Sequence, residues 1–207
     1  MVIDVHTHIV PEHFPALGGR VAGDAWPYMD HIAPGEANVM ISGRNFRTVV
    51  DRCWSVPRRL GDMPSEGTDQ QVLSPMPELL AYNMSPTDCL ELGKHLNETI
   101  ARMISESPDK FYGLGAVPLQ DPDLAAKELS AVKSMGLQGV EVLSNVNGEN
   151  LGAAKYRRFF KEVEQLGLAV YVHSQHPTFM DRVVGPEVLD NVLGFPIESG
   201  LAAAGYA

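Results

Sequence analysis

The sequence has no run approaching the roughly 20 consecutive apolar residues that would span a bilayer. Its start, Met1-Val2-Ile3-Asp4, carries no basic segment ahead of an apolar one, so no secretory leader is expected. Cysteine is scarce. Cys53 and Cys89 are the only two and no CxxC occurs, which excludes a disulfide framework. Basic residues are outnumbered, 16 Lys+Arg against 26 Asp+Glu, giving a formal charge of −10. That balance leaves no general electrostatic reason to bind nucleic acid or an anionic membrane. Internal repeats and low-complexity tracts are missing too, which removes solenoids. What is present, 207 residues of which 44% are hydrophobic and 20% charged, can furnish one domain with a sizeable core. The expectation is a soluble, acidic, cytoplasmic protein.

Short β-like runs alternate with helical ones. Val2 to Ile9 is β-branched and alternating and stops at Pro11, which marks a first strand. The stretch from 10 to 67, with Leu17-Gly18-Gly19, Trp26-Pro27 and Pro34-Gly35, is irregular and far longer than an ordinary connection, and reads as a functional insertion with some structure of its own. Asp69 to Pro75 is the second strand. A helix follows from about Thr87 or Asp88, with Leu92, Leu96, Ile100 and Met103-Ile104 along one stripe, and ends before Pro108. Phe111 to Val117 is the third strand. Asp121 then caps a helix that Pro122 opens and Gly136 stops. Gly139 to Leu143, a helix over about 153–166, Leu168 to His173 and a last helical segment near Pro186 or Ile197 complete the series.

Strands starting at 69, 111, 139 and 168 are spaced 42, 28 and 29 residues apart, with helices between. Such spacing requires parallel βα crossovers rather than hairpins. The pattern alone allows either a Rossmann sheet or a (β/α)8 barrel. The glycine-rich dinucleotide fingerprint is missing after the first strand, and His6-Thr7-His8 stands there instead.

Side chains alternate along a strand, so His6 and His8 face the same way at its C-terminal end, where active sites of parallel barrels gather. His173 closes the fifth strand at the same end. Three neutral imidazoles would make a nitrogen cluster suited to Zn²⁺, with a position left open. The plainer alternative is partly buried histidines satisfied by backbone acceptors. His176 reads as a loop residue, and His13, His31 and His95 as unremarkable ones. Met76 and Met84 read as packing.

Ile3-Asp4-Val5-His6-Thr7-His8 and Tyr171-Val172-His173 resemble amidohydrolase-related proteins of the 2-amino-3-carboxymuconate-6-semialdehyde decarboxylase type. So do Gly43-Arg44-Asn45-Phe46-Arg47, Gln71-Val72-Leu73-Ser74-Pro75, Val117-Pro118-Leu119-Gln120-Asp121-Pro122 and the segment from Phe195 to Ala202. The resemblance implies a metal-dependent TIM barrel, a single domain over 1–207 that corresponds to a barrel truncated after its fifth βα unit. It implies one divalent metal, zinc foremost, held by His6, His8 and His173. It also implies that Arg47 grips a substrate carboxylate, a task that suits a planar guanidinium fork, with Arg44 as the neighbouring competitor. Glu141 is expected to support the metal site rather than ligate, and Asp4 to orient a ligand histidine or make a structural hydrogen bond.

The activity implied is non-oxidative decarboxylation of a small carboxylated substrate. Two alternatives stand beside it: a hydrolase of an ester, lactone or amide, and a catalytically incomplete metal-binding or oligomer-forming fragment. The family's acid/base histidine and its metal-binding aspartate have no counterpart, Asp181 and Asp190 not lying on a later strand. Open sheet edges on the first and fifth strands imply self-association, a homodimer foremost.

Overall fold

Residues 1–16, 26–186 and 188–205 are described by the computed structural model, and the Leu17-Gly18-Gly19 stretch lies outside them. Strands β1 (Ile3–Ile9), β2 (Tyr28–Ala33), β3 (Glu36–Ile41), β4 (Arg44–Val50), β5 (Gln70–Pro75), β6 (Phe111–Gly115), β7 (Gly139–Leu143), β8 (Asn145–Val146), β9 (Glu149–Asn150) and β10 (Ala169–His173) follow one another along the chain. Helices α1 (Val56–Glu66), α2 (Pro86–Glu106), α3 (Pro122–Ser134), α4 (Arg157–Leu166) and α5 (Phe195–Ala204) lie between and after them.

The main sheet has the order β1-β5-β6-β7-β10, and every pairing is parallel. Each strand therefore sits beside its chain neighbour within the sheet. A Rossmann sheet would instead place its first strand in the middle. The sheet is also strongly curled. Five strands at about 4.8 Å would put the edges of a flat sheet about 19 Å apart, a gap two imidazoles cannot cross. Yet Nε2 of His6 on one edge strand is 3.1 Å from Nε2 of His173 on the other. The result is an open arc of barrel type.

Local signals explain the helices. Asp121 Oδ1 accepts from Leu124 N at 3.0 Å to start α3, with Pro122 in its first turn. Gly167, at φ 63°, takes the left-handed turn that stops α4. The stripe expected on α2 is the one that packs against the sheet, with Leu92, Leu96, Ile100 and Met103 fully buried.

One strand boundary differs from the expectation. The third strand ends at Gly115 rather than Val117, because Asn97 of α2 takes both backbone groups of Ala116: Ala116 N donates to its Oδ1 at 2.6 Å, and its Nδ2 donates to Ala116 O at 3.0 Å. The expected structure within the stretch from 10 to 67 is found in its described residues from 28 to 66. It holds the antiparallel sheet β2-β3-β4 and the whole of α1. One face of that small sheet, with Ala37, Val39 and Val49, is buried, while most of β2 and β4 is exposed, Tyr28, Ile32, Phe46 and Val50 included. Apolar residues on the exposed side blur the alternation that marks a half-buried strand. No helix of the described residues is long and apolar enough to cross a membrane.

Candidate active site

Alternation along β1 turns Thr7 and Ile9 away from the concave side, where Thr7 Oγ1 donates to Val72 O at 2.8 Å. His6 and His8 take the other side and meet His173 from β10. The ring centroids lie 4.9 Å (His6–His8), 5.1 Å (His6–His173) and 5.2 Å (His8–His173) apart, all edge to face. One nitrogen from each ring lies within 4.8 Å of the other two.

Hydrogen bonds set which nitrogen faces inward. His8 Nδ1 is 2.9 Å from Pro75 O, and His173 Nδ1 is 2.9 Å from Ser174 O. A carbonyl only accepts, so each Nδ1 carries the proton and each Nε2 keeps a lone pair. This is the arrangement in which a backbone acceptor orients a ligand imidazole. Burial, followed by the neighbouring His173 and His6, pushes His8 down to about 4. Burial likewise holds His173 below the usual histidine range. Both rings are therefore neutral at pH 7. Two nitrogens bound tetrahedrally at about 2.0–2.1 Å from one ion stand about 3.3 Å apart, close to the 3.1 Å between His6 and His173. The donor set fits a divalent metal.

Glu141 occupies the floor of the arc. It is fully buried on β7, its Oε2 is 3.9 Å from His8 Nδ1, and neither carboxyl oxygen has a hydrogen-bond partner among the described residues. Burial pushes its carboxyl up to about 8; the Ser74 hydroxyl nearby opposes this shift and Glu78 adds to it. At neutral pH Glu141 thus carries a proton. Asp4 makes a local bond instead of reaching a ring: its Oδ1 accepts from His6 N at 3.0 Å.

Arg47, on β4 opposite Val39, lines the same cavity of about 400 Å³ as His6, His8 and His173. Glu78, Gln175 and Asn191 add to its polar wall, with Gln175 Nε2 donating to Glu78 Oε1 at 3.2 Å. Arg44 sits at the exposed start of β4 and is not among the lining residues.

Three supporting residues went unnoticed in the sequence. Arg59 of α1, 7% exposed, donates to His8 O at 2.9 Å, Gln71 Oε1 at 3.2 Å and Arg52 O at 3.1 Å, which fixes the end of β1. Glu198 of α5, 2% exposed, accepts from Asn145 Nδ2 at 3.0 Å and from Thr178 N at 3.0 Å, which ties the segment after His173 to the loop after β7. Tyr82, 3% exposed after β5, is the third, its hydroxyl buried without a hydrogen-bond partner among the described residues. The only available signal was a charged residue inside an apolar stretch, as in Phe195-Pro196-Ile197-Glu198. The histidines set aside as unremarkable also have a place: His95 Nε2 bonds His13 O at 2.8 Å and His31 Nε2 bonds Glu12 O at 3.1 Å, anchoring the segment after β1 to α2 and β2.

A curled parallel α/β arc with three convergent imidazoles at the C-terminal ends of its strands forms a candidate metal site of barrel type. The amidohydrolase family model matches residues 3–196, and the chain belongs to that family. Among curated proteins it is 37% identical, over 97% of this chain and 56% of the relative, to 2-amino-3-carboxymuconate-6-semialdehyde decarboxylase of Dictyostelium discoideum. The chain spans about half the length of the curated relatives it matches. Among solved structures it resembles 5-carboxyvanillate decarboxylase from Sphingomonas paucimobilis, at a TM-score of 0.66 and 26% identity, covering 72% of this chain and 45% of the other. A dihydroxybenzoic acid decarboxylase from Polaromonas, solved with manganese and 2-nitroresorcinol, gives a TM-score of 0.62 at 26% identity, covering 72% and 48%.

Proposed function

We propose that these residues build the metal- and carboxylate-binding part of a non-oxidative decarboxylase acting on a small unsaturated or aromatic acid. The observation that carries the reading is the convergence of two neutral, carbonyl-oriented imidazoles, His8 and His173, with His6 in one cavity with Arg47. In this reading the sheet corresponds to the first five βα units of a (β/α)8 barrel, with β1 and β10 at the open edges. The names of its relatives, decarboxylases of carboxylated aromatic or muconate compounds, support the substrate class.

His6, His8 and His173 hold one divalent ion through ring nitrogens, and an all-imidazole set favours zinc; manganese is the ion in the Polaromonas structure. When bound, such an ion supplies Lewis-acid charge to a substrate oxygen. Arg47 binds the carboxylate through two parallel N–H groups, fixing its plane. Decarboxylation breaks the bond to the carboxylate carbon and releases CO2. The electron pair stays on the remaining carbon, which takes up a proton. Both cysteines are free, and Cys89 is buried, which fits a reducing, cytoplasmic setting.

Elemental analysis tests the reading. The purified chain should hold close to one divalent ion per chain, and the His6→Ala/His8→Ala double variant should hold none while keeping its circular dichroism spectrum. Full retention of metal in the double variant overturns the assignment.

A further inference from the structure

Glu78 follows β5 in a short turn of helix, Pro77 to Leu80, whose other three residues are buried. Its side chain alone leaves the core. It stands on the wall between the histidine cavity and a second, mainly apolar cavity of about 490 Å³ that Phe46 also lines. A cavity that binds an acid is an unexpected place for this charge, because a carboxylate wall repels a carboxylate ligand.

The charge is not neutralised within the protein. Glu78 makes no ion pair with any described residue. Gln175 Nε2 donates to its Oε1 at 3.2 Å, but Oε2 has no hydrogen-bond partner among the described residues. That oxygen is also accessible, unlike the two Glu141 oxygens, which are closed off in the core. Arg47 is in the same condition in the same cavity: it makes no ion pair among the described residues, and its guanidinium stands 5.8 Å from the centroid of the Phe46 ring. The Glu78 charge reaches the site. Burial lowers His173 and raises Glu141, and Glu78 opposes the first shift and adds to the second. Packing does not call for a carboxylate here, since Leu79 and Leu80 already fill the core on this turn. Two opposite charges that share one cavity without pairing describe a ligand with two ends, an acid for the guanidinium and a hydrogen-bond donor for the carboxylate.

We propose that Glu78 is a specificity-determining residue, accepting a hydrogen bond from an amino or hydroxyl group on the acid whose carboxylate Arg47 holds. The inference deepens the decarboxylase reading and rests on Arg47 as the carboxylate clamp. Gln175 is a positioning residue. Its carbonyl accepts from Asn145 Nδ2 at 3.0 Å and from Ser144 Oγ at 3.3 Å, and its amide holds Oε1 of Glu78, leaving Oε2 for the ligand. An acid with a donor satisfies both charges. An acid without one leaves the Glu78 carboxylate facing a like charge, so the same residue selects against it.

Calorimetric titration of the whole zinc-supplemented chain with 2-, 3- and 4-aminobenzoate, each against the methylbenzoate of the same substitution, tests this. Amino and methyl groups differ little in size, and only the amino group donates. At least one aminobenzoate should bind about tenfold more tightly than its methyl counterpart, as befits a hydrogen bond to a charged acceptor. Glu78→Gln keeps the shape and removes the charge, and should cut that preference to about threefold. Glu78→Leu should abolish it and strengthen the methylbenzoates. Both variants should keep the metal. No preference in the wild-type chain, a preference that survives Glu78→Leu, or equal weakening of both series by that variant would each overturn the proposal. Arg47→Ala should weaken every acid. If it weakens none while Glu78→Leu still removes the preference, the carboxylate-clamp reading fails and the role of Glu78 stands.

Discussion

Replacing Glu141 by glutamine should change the pH dependence of stability of the metal-free chain. The folded carboxyl titrates at about 8 against an ordinary 4.5 because it is buried without a hydrogen-bond partner among the described residues. Between those values the folded chain keeps a proton that the unfolded chain releases, so stability falls as pH rises, by about 5 kcal/mol over the whole window. His8 works in the opposite sense. Its folded value of about 4 lies below the ordinary 6.5, so the unfolded chain binds the extra proton and stability rises across that window by about 3 kcal/mol. The two slopes cancel between about pH 4.5 and 6.5. Above 6.5 only the Glu141 contribution remains, and the wild-type chain should lose about 2 kcal/mol by pH 8. Glu141→Gln keeps the shape and removes the titration, so its stability should climb to pH 6.5 and then hold level. Urea unfolding in the presence of a chelator, at half-unit steps from pH 5 to 8.5, reads both curves. Parallel curves for the two proteins would refute the claim that Glu141 is buried and uncompensated.

Arg47→Lys keeps the charge but loses the planar fork; benzoate affinity should fall about tenfold with metal content unchanged, and an unchanged affinity would show that another cation holds the carboxylate. Edge pairing through β1 and β10 should make the isolated chain self-associate, because Val2, Ile3 and Val5 are exposed beside an unpaired ladder. Light scattering should then give at least twice the 22.6 kDa of one chain, with Val5→Lys shifting the mass downward; a monomer at all concentrations would remove this proposal.

The parallel arc was legible because its signals are local. Asp121-Pro122 and Gly136 bracket one helix, and spacings of about 30 residues between apolar β runs leave room only for crossovers. What was not legible depended on partners distant in sequence. The third strand stops short because an asparagine 19 positions upstream of Ala116 captures that residue's backbone. The small antiparallel sheet was not legible because exposed Tyr28, Ile32, Phe46 and Val50 blur the alternation of its strands. Within the site, the histidines could be placed by parity and by strand ends alone. Arg59, Glu198 and Tyr82 could not, since each acts through groups that only the folded chain brings near.

Arg47 shows where sequence parity fails and why. Simple alternation along β4 puts Arg44 and Arg47 on opposite faces of the hairpin. The ladder, however, pairs Ile41 with Arg44, Met40 with Asn45, and then Val39 with Arg47, leaving Phe46 without a partner. Such a bulge resets the alternation and re-aims side chains. It places Arg44 and Arg47 opposite Ile41 and Val39, which share one face, so face no longer separates them and distance along the strand does. Arg44 stays at the exposed turn, while Arg47, one residue before the contact of Thr48 with Asn38, reaches the histidines. The same extra residue brings Phe46 to the neighbouring cavity. One irregular position on an exposed strand thus aims both Arg47 at the histidine cavity and Phe46 at its neighbour, and deleting Phe46 should disturb both together.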